Sequence, residues 1–267
     1  MNNVVITGST RGIGFGMADS FLARGCFVTV SGRTEESVAR ATGSLRQDHP
    51  AERVFGYPCD VRDPNLLEAL WRESKSKFGK VDIWINNAGF SGPQKMIKEN
   101  LASQAKEIID TNLLGVIYGS QVAVRGMMLQ GHGHIYNMEG AGSRGRMHEG
   151  LILYGTSKYG ASYFTRGLIS ETAGSPLIVG SLSPGMVITD FLLSQYEDRP
   201  EEWDRAKRIF NIIADRVETV TPWLVDRILE NKKHGAHISW ASRGRMIFRF
   251  LTAPISRRDL FKDEEVV

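Results

Sequence analysis

Two cysteines in 267 residues, Cys26 and Cys59, are too few for a disulfide framework, and a reducing compartment is expected. Long apolar runs are missing as well. The longest, such as Leu113 to Tyr118 with its internal Gly115, fall far short of the ~20 residues that a membrane helix needs, so no transmembrane segment is expected. Charge of one sign is scarce: the net charge is +3, with no long Lys/Arg run and no zinc-finger spacing, which sets nucleic acid aside as a partner. His132 and His134 in "GHGH", and His234 with His237, lack a third ligand and read as solvated side chains, so no metal is expected. No G-x-S-x-G elbow supports a serine hydrolase. The start "MNNVVITGS" has no charged leader and no Arg/Ser-rich transit stretch, from which a cytoplasmic location is expected.

What remains is the balance of an ordinary globule, 42% hydrophobic and 24% charged. Seven short β-branched runs begin near Asn2, Cys26, Arg53, Val81, Gly133, Pro176 and Ala236, with helical spacing between them (Met17, Phe21 and Leu22 after the first). This alternation predicts an α/β fold, a single Rossmann-type doubly wound domain over 1–267 with a seven-stranded parallel sheet covered on both faces. The stretch 188–220 reads as helical and without a strand partner.

"VVITGSTRGIGFGMA" sets Gly8, Ser9, Thr10, Arg11, Gly12, Ile13 and Gly14 in the turn between the first strand and its helix. Missing side chains there let backbone N–H groups approach a pyrophosphate. At the end of the second strand an acidic residue would select an NAD ribose; the sequence has Arg33 in "SGRT", and Arg11 is a second cation. Guanidinium suits the extra phosphate of NADP(H), the expected cofactor.

These motifs, with "CDV" at 59–61, "NNAG" at 86–89, "DTNLLG" around Asn112, "YGTSK" at 154–158 and "SPGMVITD" at 183–190, resemble in order and spacing the short-chain dehydrogenases/reductases along nearly the whole chain. The resemblance implies that Asp60 and Val61 contact adenine, that Asn87, Ala88 and Gly89 line the cofactor cleft, and that Pro184, Gly185, Val187 and Thr189 wrap the nicotinamide. It implies further that Lys158 holds the nicotinamide ribose, that Asn112 supports a relay water, and that helices over 104–129 and 154–173 build a homodimer or homotetramer. Within the family, "HIYNMEGAGSRG", "LSPGMVITDFLLS" and "FNIIADRVETV" are similar to the chlorophyll b reductases. That likeness implies reduction of the C7-formyl group of chlorophyll b to a hydroxymethyl. A different bulky apolar carbonyl compound (steroid, acyl or aromatic), or a non-catalytic NADP-binding role, are the alternatives.

The residues support such chemistry. Tyr154 and Lys158, four apart, share one helix face. A phenol ordinarily ionises near ~10, and an ammonium beside it is expected to lower that value toward the working range. The family's oxygen-binding serine is missing: Glu139 and Gly140 stand where a Ser-Ser pair is usual. A carboxylate at 139 would oppose alkoxide charge, and Ser143 is the nearest hydroxyl. Glycines at 140, 142 and 145 allow it to fold back as a fourth catalytic residue, or leave it an ordinary turn serine. Residues 190–220, with Phe191, Leu192, Leu193, Tyr196, Trp203, Ile209, Phe210, Ile212 and Ile213, read as an apolar substrate lid. The tail 243–267 mixes Arg243, Arg245, Arg249, Arg257 and Arg258 with apolar residues and reads as a membrane-surface or subunit contact.

Overall fold

In the computed structural model, which describes residues 1–189, 192, 200–253 and 258–262, the seven expected runs form one parallel sheet. They are β1 (Asn3–Ile6), β2 (Phe27–Gly32), β3 (Val54–Pro58), β4 (Ile83–Asn86), β5 (Gly133–Met138), β6 (Leu177–Ser183) and β9 (Ala236–Ser239). Their order is β3-β2-β1-β4-β5-β6-β9. Alternate residues of each strand enter opposite cores: Val4 and Ile6 join Phe21, Leu224 and Ile228 on one face, while Val5 joins Trp84, Leu70 and Val179 on the other. Burial on both sides is why these strands read as continuous apolar runs.

The first face is covered by α1 (Gly12–Ala23), α2 (Glu35–Asp48) and α8 (Val217–Glu230), the second by α3 (Pro64–Phe78), α5 (Gly115–Gln130) and α6 (Ile152–Glu171). Local chemistry sets several ends. Thr34 caps α2 by accepting from the Ser37 amide, with Glu35 and Glu36 in the first turn. Asp63 caps α3, with Pro64 at its first position and Gly79 at φ 83° closing it. α4 (Ala102–Ile109) runs into a π-helical turn, Asp110–Leu114, before α5 begins.

Between β4, β5, α5 and α6 lies a buried polar knot that sequence reading did not anticipate. Asn86 Nδ2 donates to Asn137 Oδ1 (2.8 Å) and Ser120 Oγ (3.0 Å). Trp84 Nε1 donates to Asn86 Oδ1 (2.8 Å), and Asn137 Nδ2 donates to Thr165 Oγ1 (3.0 Å). With every donor satisfied in a dry setting, the knot holds α6 at one fixed height on the sheet.

The region after β6 departs from expectation. Residues 214–216 are a strand, β8 (Ala214–Arg216), paired in parallel with β7 (Met186–Ile188). Between them, α7 (Pro200–Ile213) contributes Trp203 and Phe210 to a small third core with Ile188, Leu192, Ala214 and Phe261. Several apolar residues assigned to a lid therefore pack on one another, while Ile209 stays exposed. Phe191, Leu193 and Tyr196 lie outside the described residues. Three arginines of the tail turn inward, while Arg257 lies outside the described residues. Arg249 and Arg258 reach the buried Asp215 carboxylate (2.7 and 2.8 Å), and Arg245 stacks 3.5 Å over Trp240. Ile247, Phe248, Phe250 and Leu251 of α9 (Arg243–Thr252) are exposed instead.

Candidate active site

The reversal of strand order falls between β1 and β4, and the glycine turn after β1 sits over this crevice. Gly8 and Gly12 have φ of +62° and +56°, in the left-handed region that favours glycine. A Cβ on Gly8 would lie 2.7 Å from Ala88 Cα, which binds the first glycine motif to "NNAG". Asn87 locks the pair by donating to the Thr7 and Gly8 carbonyls (2.9 Å each). Gly12 leaves its far side against the Thr189 methyl. The first turn of α1 has no side-chain cap, so its amides suit an anionic group, and a dinucleotide fits these residues.

The expected cofactor positions differ in what they offer. Ser9 is buried, its hydroxyl donating to the Ile6 carbonyl (2.7 Å) and accepting from the Ser31 amide (2.9 Å), so it builds the turn rather than facing a ligand. Thr10 lies against Gly32, and Ile13 packs on the core. Arg11 and Arg33 are exposed; Arg33 lies 3.6 Å from Glu107, whose carboxylate is also 3.8 Å from Arg62. Asp60 is held by Arg62 through Nε at 2.9 and 3.0 Å, which keeps its carboxyl below the ordinary value even though burial opposes this. Val61 packs against Gly115. Sequence reading missed Arg62 and Glu107; the cation following "CDV" was the available signal. Pro184 and Val187 are buried, and Gly185, at φ 76°, fronts Ala241.

At the carboxyl ends of β4 and β5 the candidate acid-base residues meet. Asn112 is fully buried in the π turn, its Oδ1 accepting from the Phe90 amide (2.9 Å) and its Nδ2 donating to the Phe90 carbonyl (2.8 Å) and to Ser157 (3.0 Å). A π turn of this kind re-aims one side chain within an otherwise regular helix. Lys158, 4% exposed, donates to the Met138 carbonyl (3.2 Å) and lies 5.9 Å from the Tyr154 ring centre. A Cβ on Gly89 would stand 3.0 Å from Asn112 Oδ1 and 3.4 Å from Lys158 Nζ, so the candidate cofactor motif adjoins the candidate acid-base group directly.

The expected tuning runs the other way. Burial pushes the Tyr154 phenol up to about 12 and pulls Lys158 down to about 8, with Glu139 partly restoring the latter. The ammonium is bonded to a backbone carbonyl, so desolvation wins at both groups.

The gap in the motif is filled. The Tyr154 hydroxyl occupies the space a side chain on residue 140 would take, with Cζ 3.1 Å from that Cβ position. The loop folds back as its glycines allow: Ser143, 4% exposed, accepts the Gly140 N–H at Oγ (3.0 Å) and donates its own amide to the Gly140 carbonyl (3.1 Å). Gly142 at φ 95° lets this turn touch Gly155 at the start of α6. Tyr154 and Ser143 thus flank the same glycine. Glu139 reaches His237 Nδ1 (3.3 Å), which also meets Ser181 Oγ (2.9 Å). His234 is likewise engaged, with the Ile169 carbonyl 2.8 Å from Nε2. The reading of both histidines as solvated is corrected, because each bridges elements that only the fold brings together.

A doubly wound parallel sheet carrying a glycine-rich turn and a Tyr/Lys/Asn group at its carboxyl edge defines a dinucleotide-fold oxidoreductase. The sequence model of the short chain dehydrogenase family matches residues 2–200, and the chain belongs to that family. It is 34% identical over 278 aligned residues to the probable chlorophyll(ide) b reductase NYC1, chloroplastic, of Oryza sativa subsp. japonica, covering 98% of this chain and 54% of the relative. It is 36% identical to the chlorophyll(ide) b reductase NOL, chloroplastic, of the same plant, covering 85% and 66%. The chain therefore spans about half to two thirds of these relatives. Among solved structures, an actinorhodin polyketide ketoreductase with NADPH is 26% identical at a TM-score of 0.79, covering 90% of this chain and 95% of that one. Levodione reductase, at 21% identity and a TM-score of 0.82 over 91% and 97%, shares the fold. The expected cytoplasmic location is overturned by the plant relatives, which are chloroplastic; the reasoning failed because the opening residues of this sequence do not fix a compartment.

Proposed function

We propose that this chain is an NADPH-dependent carbonyl reductase acting on the C7-formyl group of chlorophyll b-type tetrapyrroles, giving the hydroxymethyl alcohol. The observation that carries the reading is the convergence of Tyr154, Lys158 and Asn112 on Gly89 and Gly140, between the cofactor crevice and the carboxyl end of β5. The names of the plant relatives and of the ketoreductase with NADPH support substrate and cofactor.

NADPH, when bound, supplies the hydride that adds to the carbonyl carbon. Gly8, Gly12 and the first turn of α1 would receive its pyrophosphate, and Arg11, Arg33 and Arg62 would hold its additional phosphate. Tyr154 donates its proton to the developing alkoxide. Burial keeps that proton in place at neutral pH, so the phenol acts as an acid. Lys158 remains ammonium below about 8 and stabilises the phenolate left behind. Asn112 holds the π turn against α6, and Ser143 offers a hydroxyl to the same oxygen from the other side of Gly140. Exposed Met128, Leu129, Tyr159 and Tyr163 on α5 and α6 support a homo-oligomer built through these helices.

The test follows NADPH oxidation with chlorophyll b beside steroid, acyl and aromatic carbonyl compounds. Turnover of the pigment, lost in Tyr154→Phe with NADPH binding kept, is expected. Absence of pigment turnover removes the substrate assignment, and unchanged turnover in Tyr154→Phe removes the mechanism.

A further inference from the structure

Glu139 is the feature that the mechanism leaves unused, and it is an expensive one. A carboxylate with its side chain only 13% exposed is stable there only because three strands converge on it. It follows β5 directly, while Ser181 of β6 and His237 of β9 are register partners on the sheet, as Asn137 and Ser181 are. Glu139, Ser181 and His237 therefore share the sheet face that α6 covers. His237 Nδ1 lies 3.3 Å from Glu139 Oε1 and 2.9 Å from Ser181 Oγ. Arg144, from the folded-back loop, contacts the other imidazole nitrogen and lies 3.9 Å from Glu139 Oε2.

One narrow cleft is lined by Glu139, Ser143 and Lys158, with Asn137, Ser162 and Thr165 as uncharged walls. Lys158 also touches both neighbours of Glu139 in the chain: its Nζ donates to the Met138 carbonyl, and its Cε is 3.3 Å from the Cβ position of Gly140. The remaining groups around the ammonium are the Tyr154 phenol on its own helix and Asn112 and Gly89 opposite. Among these described neighbours of Lys158 and the residues that line the cleft, only Glu139 carries a negative charge.

Resting on the reductase reading above, we propose that Glu139, clamped by His237, Ser181 and Arg144, is a positioning residue that acts through Lys158, supplying the counter-charge that keeps the buried ammonium ionised. Burial disfavours the Lys158 charge and Glu139 opposes that loss, while hydrogen bonds from His237 and Ser181 outweigh burial at Glu139 itself and keep its carboxyl below the ordinary value.

The test is a titration of the cofactor-free protein followed by 13C NMR of the lysine Cε carbons, with the Lys158 signal assigned from its loss in Lys158→Met. In Glu139→Gln its midpoint is expected to fall by about one pH unit or more, and in Glu139→Asp to stay near that of the parent. Glu139→Ser repeats the neutral substitution if the glutamine variant does not fold. With NADPH and a carbonyl substrate, the alkaline limb of kcat is expected to move by the same amount, with the KM for NADPH within about twofold. An unmoved Lys158 midpoint in the neutral variants overturns the proposal. A midpoint that moves in a protein that reduces no carbonyl compound upholds the pairing and sinks the reductase reading instead.

Discussion

Restoring the serine that the family usually carries, by Gly140→Ser, is expected to damage this enzyme. A Cβ at residue 140 would fall within the van der Waals envelope of the Tyr154 hydroxyl, 3.1 Å from its Cζ and 3.3 Å from Lys158 Cε. An unbonded carbon and oxygen need well over 3 Å, so the phenol must swing outward by about 1 Å. Such a displacement of a reacting group costs about 100-fold in rate, while the overpacking itself costs about 1–3 kcal/mol of stability. The assay is kcat for aldehyde reduction with NADPH, beside the midpoint of urea unfolding. A fold that survives with kcat down by about two orders of magnitude is the expected result. A Gly140→Ser protein as active as its parent, or more so, would refute the claim that Tyr154 occupies the serine's place.

Other outcomes follow from the same geometry. Ser143→Ala removes both the acceptor for the Gly140 amide and the hydroxyl proposed for the substrate oxygen, and should lower kcat about 10- to 100-fold with NADPH affinity retained. Arg33→Asp should weaken NADPH far more than NADH, read from the two dissociation constants, because the loss falls on the added phosphate. With Lys158 at about 8 and Tyr154 at about 12, kcat should fall above pH 8 as the ammonium is lost, the phenol keeping its proton throughout. Folding stability from Lys158 should move oppositely: between about 8 and the ordinary lysine value the unfolded chain binds the extra proton, so unfolding free energy rises with pH. Asp215→Ala strands Arg249 and Arg258 and should cost about 2–4 kcal/mol by chemical denaturation, discounted for their partial exposure. Burial works against the Asp215 charge, but its arginine and Trp240 bonds hold the carboxyl below the ordinary value. Its contribution is therefore complete above that ordinary value and is lost as pH falls through the folded one.

Much of the architecture was legible without coordinates. β-branched runs separated by helical spacing announce a covered parallel sheet, since each strand must be apolar on both faces, and glycines at 8, 12 and 14 mark a turn that only small residues can make. Tyr154 and Lys158 show their shared face by a spacing of four. These are local rules, written in periodicities of two and 3.6 and in backbone sterics. β8 escaped because a three-residue strand is defined by its partner β7, many residues earlier, and not by its own composition.

What the tertiary structure alone decided concerns charge, burial and vacancy. Sequence spacing brings Lys158 near Tyr154, but only the packed sheet shows that the ammonium is desolvated and bonded to the Met138 carbonyl, which reverses the expected shift. His237 lies 98 positions after Glu139 and reaches it because β5, β6 and β9 are neighbours in the sheet. Gly140 read as an absence along the chain, yet in space the Tyr154 hydroxyl fills it. The sequence by itself determined which backbone shapes could form; the fold decided which side chains meet and how much water they keep, because solvation and contact depend on neighbours that no local pattern encodes.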